Sequence, residues 1–300
     1  MLHPPTILIA GPTASGKSAI AMMLADELGA TIVNADSMQV YRDLAIVTAR
    51  PSDQDEARLP HRLYGHIDAA DAYSVARWLA DVEAVTQTEA PRIFVGGTGL
   101  YFDALTKGIA PVPDIDPVIR AKWRDHAAQP GADLHAALME RDPQSAARLK
   151  PGDIQRLIRA LEVIESTGRP LSHWQQNATA PLVDPAQALR VVLTPPRAPL
   201  RQAIAARFEA MIAAGALGEI EALLARRLDP SLPAMKALGV QPLAAHVRGQ
   251  LTRDEAVAQA VLETGRYAKR QDTWFRNRMH DWIQLAPEAA FAHVMQAIRP

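Results

Sequence analysis

Two hydrophobic rhythms alternate along the first hundred residues. Short β-rich runs stand at 6–10 (TILIA), 31–36 (TIVNAD) and 92–97 (RIFVGG). Between them, SAIAMMLADELG before Gly29 and YSVARWLADVEAVTQT at 73–88 place apolar residues at helical spacing. A brief β-rich run ending in polar or glycine residues predicts a buried strand, and 3.6-residue spacing predicts a helix packed on it. Strand, helix, strand in that order makes parallel pairing the expectation. RVVLTPP at 190–196 and WIQL at 282–285 are the remaining strand candidates. The pattern predicts an α/β chain, a largely parallel sheet flanked by helices.

The proline-rich APVPDIDP at 110–117 breaks this alternation, and from Val118 to Gln176 the spacing is helical with no convincing strand. An all-helical domain at 111–176, inserted into a core of 1–110 and 177–300, is therefore expected. From Leu200 onward helices dominate, with DPSLP at 229–233 as a turn, and no internal repeat is visible.

A chain of 300 residues suits one well-buried core plus an insertion. With no cysteine, disulfides and thiolate catalysis are excluded. No apolar run approaches the roughly 20 residues that span a bilayer, and MLHPPTILIAGP lacks the features of a leader, so a cytoplasmic protein with no membrane partner is expected. The net charge of −1 offers no bulk attraction to nucleic acid, so a polyanion must meet a local basic patch. The candidate patch is GRYAKRQDTWFRNR at 265–278. At helical spacing Arg266, Lys269, Arg270, Thr273 and Arg276 share one face, and Tyr267, Gln271 and Trp274 another. Taken alone, such a face is solvated surface as readily as an RNA contact.

GPTASGKS, Gly11 to Ser18, spells the phosphate loop G-x-x-x-x-G-K-S between a predicted strand and helix. Its glycines let backbone N–H groups converge on an anion, Lys17 neutralises charge, and the Ser18 hydroxyl suits a magnesium ion. The loop does not say whether it holds ATP or another diphosphate ester. In a parallel sheet the carboxyl ends of the strands meet at one edge, which brings Asp36, Ser37 and Thr98 beside the loop. Asp36 reads as a metal ligand, a general base or a plain turn carboxylate. Thr98, in GGTGLY, reads as a hydrogen-bond donor or a helix cap, with Gly96, Gly97 and Gly99 allowing close backbone approach. Thr48 and Arg50, in TARPS, read as a surface turn.

Together GPTASGKS, NADSMQVYR, TARP, GGTGLYF, DIQRLIRALEVIESTGRPLS and YAKRQDTWFR resemble the bacterial tRNA dimethylallyltransferases, also called tRNA isopentenyltransferases. The resemblance runs in order over nearly the whole chain, and its specificity lies in the ensemble. It implies a P-loop NTPase-like core and transfer of a dimethylallyl group from dimethylallyl diphosphate to N6 of the adenosine 3′ of the anticodon in tRNA. By the same resemblance, Thr13, Ala14, Ser15, Gly16, Lys17 and Ser18 hold the prenyl diphosphate with Mg²⁺, with Gly11 opening the loop. Asp36 matches the base for the adenine amine and Thr98 a threonine beside the transferred group. The implied tRNA contacts are Asp36, Ser37, Met38, Gln39, Thr98, Arg120, Gln155, Arg156, Leu157, Ile158, Arg159, Lys236, Gly239 and Gln241. Arg266, Lys269 and Arg270 of the basic patch join them, the insertion clamps the anticodon arm, and the enzyme is expected to be a monomer.

Three positions depart from the family pattern. Ala203 stands where relatives carry an arginine, with Arg201 as a candidate substitute, Gly265 replaces a threonine, and Val240 replaces a tyrosine. Two rival readings are a small-substrate P-loop kinase and an adenylate isopentenyltransferase. The first predicts ATP turnover without RNA, and the second has little use for the insertion and the basic helix. A third rival is an RNA-binding module without catalysis.

Overall fold

The computed structural model describes residues 5–86 and 90–298. Contacts divide the chain into two compact units, Met1–Thr106 with Leu182–Pro300, and Lys107–Pro181. The second unit starts a few residues before and ends a few after the expected 111–176.

The first unit is built on a six-stranded sheet of β1 (Thr6–Ala10), β2 (Thr31–Asn34), β3 (His61–Arg62), β4 (Arg92–Gly96), β5 (Ala188–Leu193) and β6 (Ile283–Leu285), in the order β3-β2-β4-β1-β5-β6. Every pairing is parallel. β1 is central, with Ala10 opposite Gly96 on one side and Val192 on the other. Its last four residues are buried, as an unbroken apolar run requires when both faces are covered.

Helices α1 (Lys17–Leu28), α2 (Asp53–Arg58), α3 (Val75–Val85) and α4 (Gly99–Lys107) alternate with these strands. The second unit holds α5 (Pro117–Ala128), α6 (Leu134–Arg141), α7 (Pro143–Ala146), α8 (Ile154–Thr167) and α9 (Leu171–Gln176). After β5 come α10 (Arg197–Ala213), α11 (Ala216–Ala225), α12 (Val240–Val247) and α13 (Arg253–Arg278), and α14 (Pro287–Ile298) follows β6. One core cluster packs Ile20 and Leu24 of α1 and Val294 of α14 on Ile7, Ile9 and Val191 of the sheet. Another gathers Tyr41 and Leu44 with Phe208, Ile220, Leu243 and Ala260 from the late helices. The inserted unit has its own core of Trp123, Leu134, Leu138, Ala146, Leu157 and Leu161. Its Glu165 ties α8 to α5 by accepting from Trp123 Nε1 at 2.9 Å and Lys122 Nζ at 2.6 Å.

Some boundaries move from their expected places. β2 ends at Asn34 because the Asn34 side chain donates to Asp36 O (2.9 Å) and accepts from Asp36 N–H (2.8 Å), turning the chain at once. β5 stops before TPP. α3 spans Val75–Val85 after a Ser74 cap, and Gln87 and Thr88 of the expected helix lie outside the described residues. β3 was not expected: two residues with no apolar run carry no signal of their own, and pairing with β2 makes them a strand.

Candidate active site

The carboxyl edge of the sheet carries the site. After Ala10 the chain turns through the phosphate loop, where Gly16 takes the left-handed φ of +82° that glycine favours, and α1 begins at Lys17 without a side-chain cap. No side chain therefore caps its first-turn N–H groups, and the positive end of the helix dipole lies there. Lys17 Nζ donates to Pro12 O at 3.2 Å, and Ser18 is exposed on the same turn. Burial pushes the Lys17 ammonium down to about 8, a fall that Asp36 opposes and Arg207 reinforces. These three charges therefore share one electrostatic neighbourhood.

Asp36 follows β2 directly. Its Oδ1 accepts from Met38 N–H at 2.9 Å, which fixes the carboxylate within its own turn. Thr98 stands after β4, one strand over. Its hydroxyl accepts from Ser37 N–H at 3.0 Å and donates to Ser37 Oγ at 3.2 Å, and its N–H donates to Ala35 O at 3.3 Å. The Asp36 turn and the Thr98 turn are thus bonded to each other. Thr98 directly precedes α4, and its hydroxyl bonds Ser37 instead of a helix N–H.

The glycines of GGTG allow close approach, by backbone at Gly96 and by side chains of α13 at Gly97 and Gly99. A Cβ on Gly96 would lie 2.0 Å from Ala35 O, one on Gly97 would lie 2.3 Å from Gln271 Nε2, and one on Gly99 would lie 2.2 Å from Trp274 Nε1. They admit the neighbouring turn and α13. This contact also explains why GGTGLY and KRQ..W.R occur together: the two segments touch.

Two residues that the sequence reading did not assign to the site hold it together. Gln271, 5% exposed, accepts from Thr13 N–H at 2.9 Å and donates to Gly97 O at 2.8 Å. Arg207 donates to Thr13 Oγ1 at 3.2 Å and to Thr48 O at 3.3 Å. The signal for Arg207 was its place among Ile204, Phe208 and Met211 on the inward stripe of α10, where a cation is out of pattern. Arg207, and not Arg201, reaches the loop, while Ala203 is exposed. Thr48 is no surface turn either. It is buried, its hydroxyl bonds Leu44 O, and its carbonyl also accepts from Gln39 Nε2 at 2.9 Å.

Beside the phosphate loop lies a groove of about 780 Å³. Pro12 forms part of its wall, Leu200, Ile204 and Leu262 give it apolar surface, and Arg197, Arg201, Arg266, Lys269 and Arg276 surround it with charge. The basic face of α13 therefore splits. Arg266 and Lys269 look into this groove, whereas Arg270 lies over the Tyr267 ring at 5.4 Å.

Of the other expected RNA contacts, Ser37 and Met38 flank Asp36, and Gln39 points inward to the Thr48 and Ala49 carbonyls. Lys236 and Gln241 are exposed, with Gln241 Nε2 donating to Met235 O at 2.8 Å. Gly239 is buried at φ +87°, against Phe208 and Val47. In the inserted unit Gln155 and Arg156 are exposed, and Arg120, Ile158 and Arg159 are half-buried. Leu157, at 0% exposure, belongs to the unit's core, so its side chain supports α8. Among the described residues no cluster of three or more His, Asp or Glu is placed to hold a metal, and no helix is long and apolar enough to cross a membrane.

Residues 39–278 match the family model for IPP transferase. A tRNA dimethylallyltransferase of Azorhizobium caulinodans is 50% identical over 303 residues, covering 99% of this chain and 97% of its own. One from Rhodopseudomonas palustris is 52% identical, covering 95% and 92%. Among solved structures, a tRNA isopentenylpyrophosphate transferase of Bacillus halodurans aligns with TM-score 0.69 at 28% identity over 98% of this chain and 95% of that one. A eukaryotic dimethylallyltransferase acting on tRNA shares the fold at TM-score 0.81 and 24% identity, over 99% and 80%. With a phosphate loop, Asp36 and Thr98 gathered at one sheet edge and full-length relatives at half identity, the chain belongs to the IPP transferase family, the tRNA dimethylallyltransferases.

Proposed function

We propose that this chain moves a dimethylallyl group from dimethylallyl diphosphate to N6 of the adenosine immediately 3′ of the anticodon in tRNA. The observation that carries this reading is the bonded pair of turns holding Asp36 and Thr98 beside Lys17 at the carboxyl edge of the sheet. Asp36 accepts the proton of the exocyclic amine as the C–N bond forms, a contribution of about 10²–10⁴ in rate for a general base. The C–O bond to diphosphate breaks in the same event. Lys17 and the loop amides from Gly16 to Ser18 stabilise the leaving diphosphate, whose charge grows as the bond lengthens. Thr98, its hydroxyl bonded to Ser37, holds the Asp36 turn in place beside the transferred group.

Mg²⁺ fits a site poor in carboxylates, because it keeps most of its water and leans on phosphate oxygens. Ser18, exposed on the first turn of α1, would supply the one protein ligand, and the ion would neutralise diphosphate charge. Adenine must leave its stack to reach this edge, at a cost of a few kcal/mol that pocket contacts offset. The groove beside Pro12 pairs apolar walls with cations, a match to the tail and head of a prenyl diphosphate. The exposed Gln155, Arg156 and Lys236 supply contacts to the anticodon arm. The enzyme works on cytoplasmic tRNA as a monomer.

The test is label transfer from dimethylallyl diphosphate with Mg²⁺ and unmodified tRNA or AMP, with ATP consumption followed in parallel. Label in tRNA without ATP use is the expected result. Label in AMP would make this an adenylate isopentenyltransferase, and ATP turnover without label would make it a kinase.

A further inference from the structure

We infer that Gln271 is a positioning residue that sets the spacing between the donor's phosphate loop and the Thr98 turn, an inference that rests on the prenyl-transfer reading. One buried amide spans the two halves of the site. Its oxygen takes the Thr13 N–H at 2.9 Å and its nitrogen gives to Gly97 O at 2.8 Å, one residue before Thr98. Fit on the Gly97 side is tight, since even a methyl there would lie 2.3 Å from Gln271 Nε2 and 3.4 Å from Asp36 Oδ2. α13 closes over the same turn again through Trp274 at Gly99. β1 and β4 are neighbours, so their ends would lie close without Gln271. Register alone leaves the loops beyond them free to shift, and a transfer reaction is sensitive to displacements of about 1 Å between donor and acceptor.

The same bond limits Thr13. Its N–H is held by Gln271 and so is not directed at a diphosphate, while its hydroxyl accepts from Arg207 and keeps its own proton to donate. The Thr13 amide anchors the loop, Ser15 N–H is likewise spent on Pro12 O at 3.2 Å, and anion binding by the backbone falls to the amides that remain toward the start of α1. The two hydrogen bonds of Gln271 go to Thr13 and Gly97, neither of which is assigned to tRNA, so its loss acts on the donor and on chemistry.

Gln271→Met keeps the bulk of the side chain and removes both bonds, and Gln271→Asn keeps the polarity but is too short to span them. Each is expected to lower kcat at least tenfold and to raise donor KM several-fold, while tRNA affinity stays within twofold. Hydrogen exchange of residues 11–18 is expected to speed at least tenfold in Gln271→Met without any substrate. Unchanged exchange, or kcat and donor KM within twofold of wild type, would overturn the inference. So would an equal loss of tRNA affinity matching a drop in Tm, which marks a scaffold residue only. If wild type itself transfers no label, the prenyl-transfer reading fails, while the exchange result still decides the role of Gln271 in holding the loop.

Discussion

The half-buried ammonium of Lys17 carries its charge conditionally. With burial lowering it to about 8, it is charged in neutral solution and loses its proton just above. Donor kcat/KM is expected to fall up to tenfold per pH unit above about 8, and Lys17→Arg, which stays charged, should shift that limb out of range. A pH profile of both enzymes checks this. The shift also acts on folding. Between about 8 and the ordinary 10.5 the unfolded chain binds more protons than the folded one, so stability gained through Lys17 rises with pH across that window. Asp36 allows a cleaner substitution than removal. Asp36→Asn keeps an acceptor for Met38 N–H, so the turn survives while the carboxylate is lost. Turnover is expected to drop about 10²–10⁴-fold with tRNA affinity within a few-fold; an equal loss in both would make Asp36 a binding residue. The phosphate loop was legible because it is contiguous, and Asp36 and Thr98 because strand ends converge. Gln271 and Arg207 were not, since each acts on a residue far along the chain, 258 positions away for Gln271 and Thr13.

At the scale of elements, strands with unbroken apolar runs could be read in advance, and β3 could not, because its two residues owe their form to β2. Loops that look like surface turns in sequence are held by distant elements. Glu219, in the first turn of α11, accepts from the N–H groups of Ala45 (2.7 Å), Ile46 (2.8 Å) and Val47 (2.9 Å). Those residues lead into Thr48, whose carbonyl takes both Gln39 and Arg207. Glu219→Ala leaves three amides without their acceptor and is expected to cost about 1.5–3 kcal/mol, read as a lower denaturant midpoint. A loosened Thr48 also frees Arg207, so donor KM should rise while Gln155 and Arg156, on another unit, are untouched. A variant with normal stability and raised donor KM would separate the two roles.

For the whole molecule, the inserted unit leaves and rejoins the core at one place, since Val183 N–H donates to Leu105 O at 3.1 Å. Replacing 107–181 with a short glycine linker should leave a folded core that binds the donor within a few-fold of the full chain and transfers no label to tRNA. Circular dichroism and donor titration check it; a core that fails to fold would mean that the unit is needed for stability. The detour has a cost in time. β1 is made first and sits at the centre of the sheet, but its partner β5 begins only at residue 188. At about 5–20 residues per second of synthesis, β1 waits on the order of 10–40 s with one edge unpaired. Through that interval the strand that will be the most protected in the finished enzyme is open to any passing chain, so aggregation risk in the cell follows a translation clock more than any weakness of the native fold.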